Sequence, residues 1–251
     1  MNLFPKFFIV SLLFAVAFWG CDNTPVDPGD DFVQLQFNIS HQVDDQELVF
    51  DDIKYTNEAG NTYSVVTLKY FISDITLHNS DGTEYMIDDE HYVDATDPTT
   101  LTYSPGDSIP NGDYTHVSFI FGLNATKNVN GYFVNPPESN MEWPPAMGQG
   151  YHYMKLEGKY DSAGVVTKNY NTHTGPSMGN QYFIEMTLPS SSIKAEGTNL
   201  TVDLMMNINN WYSGPNSYDF NTYGQAIMGN QAAQKVLQEN GADVFSVTEI
   251  R

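Results

Sequence analysis

Apolar and polar residues alternate with a period of two again and again along this chain, and that pattern dictates its fold class. Val33, Leu35, Phe37 and Ile39 interleave with Gln34, Gln36, Asn38 and Ser40. Successive side chains of an extended strand point to opposite faces, so such a run is a strand with one buried face and one wet face. Val117, Phe119, Phe121 and Leu123 repeat the pattern, as do Tyr182, Ile184, Met186 and Leu188, and Leu200, Val202, Leu204, Met206 and Ile208. Residues 65–77 and 85–87 flank Asp81-Gly82, a dipeptide that tolerates the positive φ of a tight hairpin. Many short strands parted by Gly, Pro, Asn and Asp turns predict an all-β domain, an antiparallel two-sheet β-sandwich with Greek-key-like connections. One C-terminal helix is expected over residues 225–239, where Ile227, Ala233, Val236 and Leu237 recur at helical spacing and Gly241 can supply a left-handed stop. Phe245 and Val247 then read as a terminal strand.

The N-terminus reads as an export signal. Lys6 gives residues 1–20 a positive start, an apolar run broken only by Ser11 follows, and Gly20 precedes Cys21. The run is shorter than the ~20 apolar residues a membrane span needs. Cys21 is the single cysteine of the chain, so no internal disulfide can form. Lipidation of Cys21 accounts for its position and its solitude, and predicts an outer membrane lipoprotein on the periplasmic face or the cell surface. Residues 21–31, rich in Pro and Asp, form the lipidated tether, and residues 32–251 are expected to make one domain. With 31 acidic against 10 basic residues and a formal charge of −21, the surface repels backbone phosphates, which excludes nucleic acid as a partner.

Residues 140–158 concentrate Met141, Trp143, Met147, His152 and Met154 among prolines and glycines. Thioethers and imidazoles are the donors soft Cu(I) prefers, although methionine is also an ordinary gap-filler in cores. In a strand over 151–157, His152, Met154 and Leu156 share one face. His41 continues the buried phase of the Val33–Ile39 strand, and His173 lies in Asn171-Thr172-His173-Thr174-Gly175-Pro176, which reads as a rim loop. His78, His91 and His116 read as surface imidazoles. Asp88, Asp89, Glu90, Asp94 and Asp97 could bind calcium through oxygen ligands but lack the spacing of a calcium loop, and read as an acidic rim. There is no His-Glu-x-x-His, phosphate loop or haem-attachment motif, so a binding protein is expected rather than an enzyme.

Several of these landmarks, in this order, resemble the MbnP-like family of bacterial copper-binding proteins. They are the strand running into His41, the Leu68-x-Tyr70-x-Ile72-Ser73 strand, Trp143 ahead of Gly150-Tyr151 and Met154-Lys155-Leu156-Glu157-Gly158, then His173, and Ile227-Met228 ahead of Asn240-Gly241. The resemblance implies a β-sandwich that binds copper through histidines, here His41 and His173, with Trp143 matching a tryptophan that some members carry oxidised to kynurenine. It also implies a partner, a di-haem protein of the cytochrome c peroxidase type, which performs that oxidation. His41 is accordingly expected beside His173, with His152 and Met141 as further donors and Trp143 near the surface. A glycan-binding sandwich is the competing expectation, because Trp211, Tyr212 and the tyrosines up to Tyr223 could offer flat rings to sugars.

Overall fold

The first alternating run is β1 (Phe32–Val43), and its buried side chains are Val33, Leu35, Phe37, Ile39, His41 and Val43. The computed structural model describes residues 31–162, 164, 166–197 and 199–251. The expected signal segment, Cys21 and all but the last residue of the tether lie outside the described residues. After β1 come β2 (Gln46–Glu47), β3 (Tyr55–Thr56), β4 (Thr62–Tyr63), β5 (Thr67–Asn79) and β6 (Glu84–Asp94). Next are β7 (Thr102–Tyr103), β8 (Ile109–Pro110), β9 (Gly112–Phe121), β10 (Met154–Ser162) and β11 (Val166–Thr174). The chain closes with β12 (Ile184–Thr187), β13 (Ile193–Ala195), β14 (Asn199–Asn207), α1 (Phe220–Tyr223), α2 (Gln231–Asn240) and β15 (Phe245–Ile250).

These strands form two sheets. The smaller runs β15-β14-β1-β2, with β7 and β8 also on β1; the larger runs β12-β9-β5-β10-β4-β3, with β6 on β5, β11 on β10 and β13 on β9. The expected all-β sandwich is therefore the architecture. The large sheet pairs antiparallel, but β1 and β14 pair parallel, Gln34 opposite Asn199. Their partners are far apart in sequence, so no hairpin sets their relative direction.

Inner faces of both sheets supply the main core, which includes Leu35, Phe37, Leu68, Tyr70, Ile72, Phe119, Phe121, Met154, Leu156 and Leu204. The outer face of the large sheet is not bare. Phe71, Tyr92, Leu123, Met141, Tyr151, Tyr153 and Tyr182 form a second cluster there. β5 is thus buried on both faces in its middle, which is why Tyr70-Phe71-Ile72 breaks the alternation seen in β1. This second layer lifts residues 123–153 over the sheet and positions the site.

The helix starts later than the sequence periodicity predicts. Asn230 is its N-cap, its side chain accepting from the Ala233 amide, and Ile227 is buried in the turn before it. Gly241 does not take the left-handed stop; its φ is −65°. It is a glycine for another reason, since a Cβ there would lie 2.5 Å from Trp211 Cζ3. Trp211 and Tyr212 are fully buried, Tyr212 packing with Tyr63, Tyr170, Tyr218 and Phe220. Trp211, Tyr212 and Tyr218 are core and Tyr223 packs against it partly buried, so the sequence basis of the glycan reading is lost.

Candidate metal centre

β10 and β11 are antiparallel neighbours in which Met154 pairs with Thr174 and Lys155 with His173. Met154 and Leu156 face the core, so Lys155, Glu157 and His173 project from the outer face of the large sheet. His173 therefore stands on a strand, not in the rim loop its sequence suggests. β11 is polar along most of its length, with Thr167, Lys168, Asn169 and Asn171, and only its ladder to β10 defines it.

Before β10 the chain folds back on itself. The Trp143 amide donates to Gly150 O (2.8 Å) and the His152 amide to Met141 O (2.7 Å). At Tyr153 the strand phase breaks, because the Tyr153 amide bonds Thr174 O while Phe71 N donates to Tyr153 O. His152 and Met154 consequently do not share a face: Met154 enters the main core, and His152 sits outside it against His173. The Met141 side chain belongs to the second cluster, and at the centre it is its carbonyl that acts. Trp143 is fully buried rather than near the surface.

Trp143, His152 and His173 form one contiguous group. The imidazole rings of His152 and His173 are 5.0 Å apart, centroid to centroid, and nearly perpendicular at 86°. The Trp143 ring lies 4.6 Å from His152 at 68°. Two glycines make room for the indole: a Cβ on Gly175 would stand 2.5 Å from Trp143 Cε3, and one on Gly148 3.3 Å from its Cδ1. Gln234, wholly buried on α2, donates to His173 O (2.7 Å) and accepts from the Gly175 amide (3.2 Å), clamping the end of β11.

Hydrogen bonds determine which nitrogens are free. His152 Nδ1 is 2.8 Å from Met141 O; a carbonyl only accepts, so Nδ1 carries the proton. Burial, with the nearby Lys155 charge, lowers the His152 pKa to about 3, so the ring is neutral and its Nε2 keeps a lone pair. His173 Nε2 donates to Glu157 Oε1 at 2.6 Å, and that bond holds the Glu157 carboxyl below the usual carboxylate range. His173 Nδ1 is buried with no partner, and so is Trp143 Nε1. A histidine backed by a carboxylate on one nitrogen, with no partner on the other, has the arrangement common among metal-ligating imidazoles. Among the described residues no group of three or more His, Cys, Asp or Glu assembles to hold a metal. Two imidazoles suit a soft monovalent ion that accepts few donors, and suit poorly an ion demanding an oxygen cage.

The family model named MbnP matches residues 33–230. The chain belongs to the MbnP family. MbnP from Methylosinus trichosporium has a similar fold: TM-score 0.53 at 12% identity, covering 74% of this chain and 80% of that one. Among curated proteins none matches. The stretch matched to the MbnP family holds Trp143, His152, Glu157 and His173 but ends one residue before α2, so Gln234 lies beyond it. Neither Gln234 nor Glu157 is among the donors the sequence suggests. A signal for Gln234 did exist, because it sits three residues before Leu237 inside the apolar stripe, where a polar side chain must find buried partners.

His41 does not join the group. Its Nε2 lies 2.9 Å from the Tyr70 hydroxyl, and Tyr70 opposes Met154 on the inner face of the large sheet. His173 opposes Lys155 on the outer face, so the sheet itself separates the two histidines expected to meet. Burial lowers the His41 pKa to about 4. The unfolded chain, with an ordinary value near 6.5, then binds the proton the native state refuses. Stability should be undiminished above pH ~6.5 and fall as the pH drops towards 4, by roughly 3 kcal/mol from His41 alone. Urea unfolding at pH 7 and pH 4.5, with His41→Gln flattening the dependence, checks this.

The other histidines and the acidic rim lie away from the centre. His78 bonds Glu84 and Ser118 and stacks on His116 at 4.1 Å, and His91 stacks on Tyr103 and bonds Thr100 O. The acidic rim is organised by a cation the sequence reading overlooked. Lys127 Nζ is 2.7 Å from both Asp74 and Asp88 and 3.3 Å from Glu90. Burial opposes the Lys127 charge, but those carboxylates outweigh it and raise its pKa.

Proposed function

We propose that this protein is an extracytoplasmic, lipid-anchored copper-binding protein that captures or stores Cu(I), with His152 and His173 as ligands beneath Trp143. One observation carries the reading: two buried neighbouring imidazoles, His152 neutral with its Nδ1 proton committed to Met141 O, and His173 with Nε2 on Glu157 and a buried Nδ1 without a partner. Bound there, copper would supply a soft acceptor for those two lone pairs. The chain's own residues orient the rings, through Met141 O and Glu157, and exclude water with Trp143 and its glycine walls. Binding without turnover is the role proposed.

The family resemblance supports two further elements. Cys21 carries the lipid anchor at the outer membrane, and a di-haem peroxidase-like partner converts Trp143 to kynurenine, whose aniline nitrogen and ketone turn an inert ring into a donor. Metal analysis and a Cu(I) titration against a competing chelator test the binding. Protein without bound copper from its native host, and without measurable Cu(I) affinity, would overturn it. Tandem mass spectrometry of host-derived protein should show a net gain of one oxygen and loss of one carbon at Trp143. Protein made without the partner should retain plain tryptophan. Cys21→Ser should release the protein from the membrane fraction.

A further inference from the structure

Three methionines that the two-histidine centre does not use converge on the loop that roofs it. We propose that Met147, Met178 and Met228 form a thioether site at the mouth of the centre, which takes up a soft monovalent cation before it reaches the imidazoles. The inference rests on the copper reading above.

The three residues come from separate segments and are brought together by backbone contacts. The Met178 amide donates to Met147 O (2.9 Å), and the Ser177 hydroxyl donates to Met228 O (2.6 Å). Met147 Sδ lies 3.3 Å from the point a Cβ on Gly229 would occupy. Its sulfur therefore rests on the backbone next to Met228, in space a side chain at Gly229 would contest. The same loop touches the buried group: a Cβ on Gly148, the residue after Met147, would lie 2.7 Å from Pro176 O and 3.3 Å from Trp143 Cδ1.

Met178 is the unusual member. It has φ 51°, followed by Gly179 at 88°, in the turn where Ser177 bridges Asn180. Consecutive left-handed residues in a tight turn favour Asn or Gly, and methionine has no side-chain hydrogen bond to offset the strain. Nor does it fill a gap, since it is 60% exposed. An apolar residue in a left-handed position, held out in water beside two half-buried methionines, is not explained by packing. Its thioether is a neutral, polarizable donor suited to a soft d10 cation and indifferent to magnesium or calcium. Thioethers do not protonate in ordinary buffers, so this mouth would hold its cation weakly and without pH dependence. The imidazoles behind it are the stronger donors, which gives transfer a direction. The net negative charge of −21 raises the local cation concentration outside it.

Ag(I), a soft ion that needs no reductant, is the probe. Titrated into the purified full chain with 13C-labelled methionine methyls, it should shift the ε-methyl signals of Met147, Met178 and Met228 and leave those of the core Met154, Met186 and Met206 in place. In His152→Gln/His173→Gln protein the three shifts should persist. The Met147→Leu/Met178→Leu/Met228→Leu protein conserves side-chain volume. It should load its histidines roughly tenfold more slowly, the scale on which groups outside the ligand shell alter metal binding, with unchanged final affinity. Unmoved Met147, Met178 and Met228 methyls while the histidine rings respond would overturn the thioether site and leave the centre standing. Shifted methyls with silent histidine rings would overturn the centre instead and support the thioether site. Unaltered loading in the triple variant would overturn the hand-over.

Discussion

His152→Ala and His173→Ala should each lower Cu(I) affinity by at least ~100-fold, because losing only an outer partner of a metal ligand already costs 10–100-fold. His41→Ala should leave affinity at the wild-type level. The contrast follows from the large sheet: His152 and His173 share its outer side with rings 5.0 Å apart, whereas His41 bonds Tyr70 on the inner side. With Trp143 unoxidised, a two-imidazole site has no spare donor to compensate for a missing one. His41→Ala should instead weaken folding, since it strands the buried Tyr70 hydroxyl and opens a gap in the core. Competition with a chromophoric Cu(I) chelator measures the affinities, and urea unfolding shows that each variant is folded when it is titrated. Equal losses at all three positions would mean that the imidazoles act through stability rather than ligation.

The second large effect belongs to Gly158, in the middle of β10. A Cβ there would run into the carbonyl oxygen of Ser64 and lie 2.7 Å from Tyr170 Cε1. Neither neighbour can step aside. The Tyr170 hydroxyl donates to that same carbonyl (3.0 Å), and the Ser64 amide donates to Lys159 O (2.8 Å), so ring and backbone are tied together over the glycine. Gly158→Ala should combine an overpacking cost of ~1–3 kcal/mol with weakening of a buried hydrogen bond worth ~1–3 kcal/mol, giving about 2–6 kcal/mol in all. Against the ~5–15 kcal/mol that a domain has in reserve, that is severe. Gly106→Ala is the control: nothing stands within 4 Å of its Cβ, and its change should stay within ~0.5 kcal/mol. The shift in urea midpoint between the two variants reads the difference.

The strand runs of β1, β9, β12 and β14 were legible because each has to hide one face, and hiding one face forces period two. His41 was legible in the same way: it continues the phase of β1 and is buried as expected. Trp143 and His152 could be singled out as residue types, and His173 by resemblance. Their relationship could not be read. His152 stands two residues before Met154, and alternation would have put them on one side. The bend at Tyr153, which trades regular pairing for bonds to Thr174 and Phe71, sends His152 to the other. Nor could β11 be recognised, because a polar strand held by one ladder carries little hydrophobic signal.

By itself, then, the sequence determined the fold class, the hairpin at Asp81-Gly82, the burial of β1 and the acidic surface, since each follows from local periodicity, turn chemistry or a charge count. Only the tertiary structure decided which histidines meet. Whether two side chains share a face depends on strand register and on breaks in phase, and a shift of one residue moves a side chain across the sheet. It was also the tertiary structure that decided which nitrogen of each ring is open, because that is determined by the acceptors folding brings alongside, Met141 O for His152 and Glu157 for His173.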